Sequence, residues 1–165
     1  MSNSPINVLF LCTANSARSI MSEGLLNLLG GDRFRAFSAG SKPGTQPNPH
    51  AMALLQQAGF DTAGMYSKSW HAFEGADAPQ MDLIITVCGN AANEVCPVWP
   101  GHPVSAHWGY EDPHGDTEAE KRASFEKIFL QIRRRIDALV ALPDQALHGA
   151  ALVQAARDIG ALEVD

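Results

Sequence analysis

Two short segments, Ile6-Asn7-Val8-Leu9-Phe10-Leu11 and Met81-Asp82-Leu83-Ile84-Ile85-Thr86-Val87-Cys88, are apolar almost without interruption. A strand that alternates polar and apolar residues can leave one face in water, but a run like these cannot. They suit parallel strands covered on both faces, and parallel strands need a long crossover between them, usually a helix. The chain supplies such crossovers. Ile20, Met21, Leu25, Leu28 and Leu29 recur near a helical period, and Gly30-Gly31 stops them. Asn48-Pro49 opens a second helix through His50 to Ala58, with Asn as N-cap and Pro at the first helical position. Arg33 to Ala39 reads as a further strand, Val104 to His107 as a short one, and Trp70 to Gly75 as a short helix. A long helix is predicted over Thr117 to Leu142, with Phe125, Ile128, Phe129, Ile132, Ile136, Leu139 and Val140 on one face. The Ala-rich stretch from Gln145 to Leu162 is expected to be helical and packed back. This order argues for one doubly wound α/β domain over residues 1–165, a four-stranded parallel sheet flanked by helices. Its core spans about residues 6–142, and residues 143–165 form a C-terminal helical extension.

A chain of 165 residues, 45% hydrophobic and 18% charged, can bury one proper core. The formal net charge of −6 argues against a general nucleic-acid binder, so any anion site must concentrate positive charge locally. No apolar stretch approaches the roughly 18 residues of a membrane span, and Met1-Ser2-Asn3-Ser4-Pro5 lacks the basic start of a signal peptide. A cytoplasmic protein with no membrane partner is the expectation. Three cysteines, Cys12, Cys88 and Cys96, are then no disulfide scaffold, being few, odd in number and placed among reduced thiols.

The sharpest chemical signal lies between the first strand and its helix, in Cys12-Thr13-Ala14-Asn15-Ser16-Ala17-Arg18-Ser19. Backbone N–H groups of Thr13 to Ser19, aided by the helix N-terminus, can curl around a tetrahedral oxyanion. Arg18 adds a planar fork that grips two oxygens. The same positive field favours the nucleophilic thiolate of Cys12, to which Ser19 can donate its hydroxyl. Asn15 tolerates the positive φ that such a loop requires. Far down the chain, Asp112-Pro113 in a Gly- and Pro-rich loop can supply a general acid for the leaving oxygen. Cys12 and Cys88 each end a predicted strand, and ligands in open α/β sheets sit at the carboxyl ends of strands.

The run Val8-Leu9-Phe10-Leu11-Cys12-Thr13-Ala14-Asn15-Ser16-Ala17-Arg18-Ser19 resembles the anion-binding loop of arsenate reductases built on the low-molecular-weight protein tyrosine phosphatase fold. The resemblance continues through Ser38-Ala39-Gly40, Thr86-Val87-Cys88, His107-Trp108-Gly109 and Asp112-Pro113. It implies reduction of arsenate to arsenite, in which Cys12 attacks the oxyanion, Cys88 resolves the adduct and Cys96 relays the oxidation outward. Thioredoxin is the implied reductant, with glutaredoxin and glutathione the alternative, because Cys88-x7-Cys96 is one residue longer than in thioredoxin-coupled members. No organic cofactor is implied. Some members of that group bind potassium, and Asn15, Glu23 and Ser38 match three of the positions. The fourth, an Asp, is missing from Ser67-Lys68-Ser69, where Lys68 is a candidate to supply the positive charge directly.

A phosphatase of the same fold, hydrolysing phosphotyrosine or a small phosphomonoester through a phosphocysteine, is the alternative activity. The aromatic pair expected after Asp-Pro in tyrosine phosphatases is replaced by His114-Gly115. A non-enzymatic oxyanion sensor is a third reading, disfavoured because nucleophile, clamp and acid are all present. A zinc site from Cys88, Cys96, His102 and His107 is disfavoured by the long gap between the cysteines. Trp70, Trp99 and Trp108 are expected to pack loops onto the sheet or line the crevice rim. Arg133-Arg134-Arg135 is expected on the solvated face of the long helix.

Overall fold

A computed structural model of the chain describes residues 4–88 and 99–164. Strands β1 (Ile6–Cys12), β2 (Phe34–Gly40), β3 (Leu83–Thr86) and β4 (Ala106–His107) pair in parallel in the order β2-β1-β3-β4. Helices α1 (Arg18–Leu29), α2 (Pro49–Gln57), α3 (Glu118–Val140) and α4 (Gly149–Gly160) complete the described elements, with single 3₁₀ turns at Gly31–Arg33, Trp70–Phe73 and Asp144–Ala146. The α/β class and the parallel sheet follow from the apolar runs, as the sequence implies. From β1 the chain crosses to one side to make β2, then returns to the other side for β3. Cys12 therefore closes its strand where the connections diverge, which is where open α/β sheets bind ligands.

Both sheet faces are covered. Val8, Phe10 and Ile85 point into the larger core with the apolar sides of α1 and α3. Leu9, Leu11, Ala39 and Ile84 form a second cluster with Trp99, packed by Phe37, Trp70, Phe73 and Met81. Trp70 and Trp99 stack with centroids 5.7 Å apart and planes 6° from parallel, so two of the three tryptophans do seal a loop onto the sheet. Trp108 is fully buried against Phe10 and donates its indole N–H to Ala156 O at 2.9 Å.

Local chemistry sets the ends of the elements. Asn48 Oδ1 accepts from His50 N at 2.8 Å at the start of α2, and Thr117 Oγ1 accepts from Glu120 N at 3.1 Å at the start of α3. The strand expected over 81–88 is paired only from Leu83 to Thr86. Asp82 instead brackets Asn7, accepting from its N–H through Oδ2 and donating its own N–H to its carbonyl, each at 2.8 Å.

One expectation fails. Arg135 is not on the solvated face; it is 6% exposed and shares the buried side of α3 with Ile132, Ile136 and Leu139. Residue 135 lies three positions after Ile132, and a three-residue step keeps it on the same helix face. Its charge is tolerated there because Nη1 and Nη2 donate to three backbone carbonyls, those of Gly109, Gly160 and Leu162. Helix α4 buries Leu152, Ala156 and Ile159 and lies along β4, covering an edge of the sheet. Among the described residues, no helix is long and apolar enough to cross a membrane.

Candidate active site

The loop between β1 and α1 turns its carbonyls outward, and each is tied down. Cys12 O accepts from Ser41 N (3.3 Å), Thr13 O from Lys42 N (2.9 Å), Ala14 O from Gly44 N (2.9 Å) and Ser16 O from Asn48 N (2.8 Å). Asn15 O accepts from Ser67 Oγ at 2.7 Å. The N–H groups of Thr13, Ala14, Asn15, Ser16 and Ala17 find no acceptor among the described residues. Helix α1 then starts at Arg18 with no side-chain cap. A run of inward N–H groups leading into an uncapped helix is a cradle for an anion. Cys12 sits at its base, buried and outside any disulfide.

Asn15 holds this shape. Its φ of 52° lies in the left-handed region, and the residue is fully buried. Its amide donates to Ser19 Oγ (2.8 Å) and Ser38 Oγ (2.9 Å), while Oδ1 accepts from Lys68 N (3.0 Å). Accepting from Asn15 leaves the Ser19 hydroxyl its own proton to donate. Gly40 lets β2 come this close. A Cβ there would lie 2.4 Å from Thr13 O and 3.1 Å from Asn15 N.

Ser38 Oγ passes the network on to Glu23 Oε1 at 2.6 Å, and Lys68 Nζ stands 3.7 Å from that oxygen. The ammonium also donates to Ser38 O (3.1 Å) and Tyr66 O (2.9 Å) and lies over the Tyr66 ring. Burial raises the pKa of Glu23, opposed by the charge of Lys68; burial lowers that of Lys68, opposed by Glu23. Of the potassium candidates, Asn15, Glu23 and Ser38 are therefore brought together. Glu23 Oε1 and Ser38 O already face the Lys68 ammonium, and Asn15 Oδ1 accepts from the Lys68 backbone N–H, so this donor set does not fit a metal cation.

Arg18 is buried, with Nη1 donating to Tyr110 O at 3.0 Å and Nη2 3.7 Å from Asp112 Oδ1. Asp112 is exposed and lines a cleft of about 730 Å³ with Ser16, Ala17, Asn48, His50 and Pro113. On the neighbouring strand, Leu11 pairs with Thr86, and Val87 N donates to Leu11 O at 3.0 Å. Cys12 and Cys88 thus stand one residue out of step at the carboxyl ends of adjacent strands. Cys88 is fully buried and disulfide-bonded. Cys96, the expected relay cysteine, lies outside the described residues.

Residues 7–151 match the family described as low molecular weight phosphotyrosine protein phosphatase. The chain belongs to that family. Within it, this protein is similar to arsenate reductases. That of Bacillus subtilis (strain 168) is 35% identical over 131 residues, covering 78% of this chain and 91% of that protein. The solved arsenate reductase of Archaeoglobus fulgidus is 30% identical with a TM-score of 0.60, over 79% of this chain and 98% of that one. The thioredoxin-dependent arsenate reductase of Corynebacterium glutamicum is 25% identical with a TM-score of 0.51, over 81% of this chain and 61% of that one.

Several residues of this family member escaped sequence reasoning. Tyr110 gives no motif, because it acts through its carbonyl. Ser67 and the clash line of Gly40 emerge only once β2 and the 66–69 segment are placed beside the loop. Arg135 left a signal, since counting from Ile132 puts it on the apolar face.

Proposed function

We propose that this protein reduces arsenate to arsenite by a thiol relay. The observation that carries the reading is the five-N–H cradle around Cys12 with a second cysteine at the end of the adjacent strand. The Cys12 thiolate attacks arsenic and displaces one hydroxyl group, which takes a proton from Asp112 and leaves as water; Arg18 grips two of the remaining oxygens. Cys88 then attacks the Cys12 sulfur. The sulfur–arsenic bond breaks with its electron pair on arsenic, arsenite leaves, and a Cys12–Cys88 disulfide holds the two electrons' worth of oxidation. Cys96 attacks Cys88 and restores the Cys12 thiol, and an external dithiol reduces the resulting bridge.

The similarity to arsenate reductases supports this reading over phosphomonoester hydrolysis, for which the cradle alone would serve equally. The thioredoxin-dependent relative from Corynebacterium glutamicum supports thioredoxin as the reductant. A cytoplasmic location follows from the same chemistry, since the relay needs a compartment that reduces thiols. The test is arsenate turnover with thioredoxin and thioredoxin reductase in parallel with glutathione and glutaredoxin. The wild type is expected to turn over repeatedly with thioredoxin, and Cys88→Ser to stop after forming its adduct. Full repeated turnover by Cys88→Ser would overturn the relay.

A further inference from the structure

We propose that Arg135 is a positioning residue for the oxyanion site, through which the C-terminal helix holds Arg18 and Asp112 in working geometry. The inference rests on the oxyanion reading of the Cys12 loop. Its basis is a chain of contacts that starts outside the site. The guanidinium of Arg135 bridges two separate parts of the chain: Nη2 donates to Gly160 O (3.1 Å) and Leu162 O (3.0 Å) at the end of α4, and Nη1 donates to Gly109 O (3.0 Å). It also lies 5.0 Å over the ring of Tyr110, which is 2% exposed. Tyr110 in turn offers its carbonyl to Arg18 Nη1, and Asp112 follows two residues later beside Arg18 Nη2.

Segment 107–110 is thus held from two sides. Trp108 donates to Ala156 O in α4, and Gly160 packs so tightly that an added Cβ would lie 2.6 Å from His107 O. On the other side, Arg18 takes its orientation from Tyr110 O. A bidentate fork is useful only in one plane, and the carbonyl that fixes the plane lies past the last link to the sheet among the described residues, Trp108 N donating to Thr86 O at 2.8 Å. Arg135 supplies what the sheet does not. The matched family region ends at residue 151, before most of α4.

The test measures inorganic phosphate binding by calorimetry on the full-length protein, well below the melting temperature of each variant. Phosphate binding by the parent that is lost in Arg18→Ala establishes the oxyanion site itself. No binding by the parent would sink that reading and this inference together. Arg135→Met should then bind phosphate about tenfold more weakly, the size of a misaligned charge-assisted contact, while Phe34→Leu, which loosens the start of β2 away from these bonds, stays within about twofold. Arg135→Lys keeps the charge but cannot span the three carbonyls, and should lose about threefold. It folds under the same packing, so it decides the matter if Arg135→Met does not fold. Wild-type affinity in both Arg135 variants, or an equal loss in Phe34→Leu at matched melting temperature, would overturn the proposal.

Discussion

Replacing Gly40 by Ala tests the loop geometry with one methyl group. The added carbon would stand 2.4 Å from Thr13 O and 3.1 Å from both Thr13 C and Asn15 N. These are backbone atoms, so no flexible side chain can swing aside. Reaching ordinary contact requires the loop and β2 to part by about 1 Å. Thr13 O is also the acceptor of Lys42 N, and Asn15 is pinned by four hydrogen bonds, so the strain spreads through the whole cradle. Overpacking of this kind costs about 2 kcal/mol, which lowers the melting temperature of a domain this size by about 4–8 °C. The effect on function should exceed the effect on stability. An offset of about 1 Å in a preorganised site costs up to about 100-fold, so phosphate affinity and arsenate kcat/KM should each fall by about tenfold or more. Gly64, with open space around its Cβ position, provides the matched control, since Gly64→Ala should leave both quantities unchanged. Thermal unfolding, calorimetry and steady-state reduction assays read the three effects. Wild-type phosphate affinity in Gly40→Ala would refute the claim that the loop's backbone is held rigid against β2.

Other expectations follow from the same network. Asn15→Ala and Asn15→Gly lose the same side-chain bonds but differ in the ease of φ = 52°, so urea unfolding should find the Gly variant more stable by about 1 kcal/mol; equal stabilities would mean that the left-handed turn relaxes. Lys68→Met leaves Glu23 buried beside no cation and should destabilise the protein by about 3 kcal/mol at neutral pH. The sign of its pH dependence is set by Glu23, whose folded pKa is raised. The folded state binds that proton more tightly than the unfolded chain, so this contribution is full below the ordinary carboxylate range and lost as pH rises through the raised value. Removing Lys68 raises it further, and the deficit of Lys68→Met should therefore shrink between pH 7 and pH 5; a constant deficit in denaturant titrations would exclude Glu23 as the cause. Potassium should not stabilise the wild type in thermal unfolding, whereas stabilisation alike in wild type and Lys68→Ala would argue against the ammonium filling this role. Asp112→Asn should slow arsenate turnover by about 100-fold or more with its thiol count by Ellman titration unchanged; an unaltered kcat would remove Asp112 as the proton donor.

The apolar runs 6–11 and 81–88 were enough to specify a parallel α/β sheet, because burial on both faces writes itself into every residue of a strand. The nucleophile, clamp and loop were legible for a related reason: they are contiguous, and a strand-to-helix turn with Cys12 at one end and Arg18 at the other has few other uses. Asp112 was legible less directly, as an acid in a Gly- and Pro-rich loop that the resemblance then strengthened. In isolation, an Asp-Pro in a loop is an ordinary turn, and it becomes a candidate acid because folding brings it 3.7 Å from an arginine 94 positions earlier in the chain.

In three matters the partners were decided by tertiary structure. Lys68 faces Glu23 because segment 66–69 runs beside β2, a placement that no local pattern encodes. The Gly40 contact exists because two parallel strands bring their ends within reach, and a glycine's meaning depends on what its missing carbon would strike. Arg135 is the sharpest case. Composition places three consecutive arginines in water, but a helix presents consecutive residues about 100° apart, and Arg135, in register with Ile132 and Leu139, faces inward. Which buried acceptors awaited it depended on where α4 and the 109–110 carbonyls came to rest. Periodicity determines the face of a residue, whereas only the packed chain determines its partners.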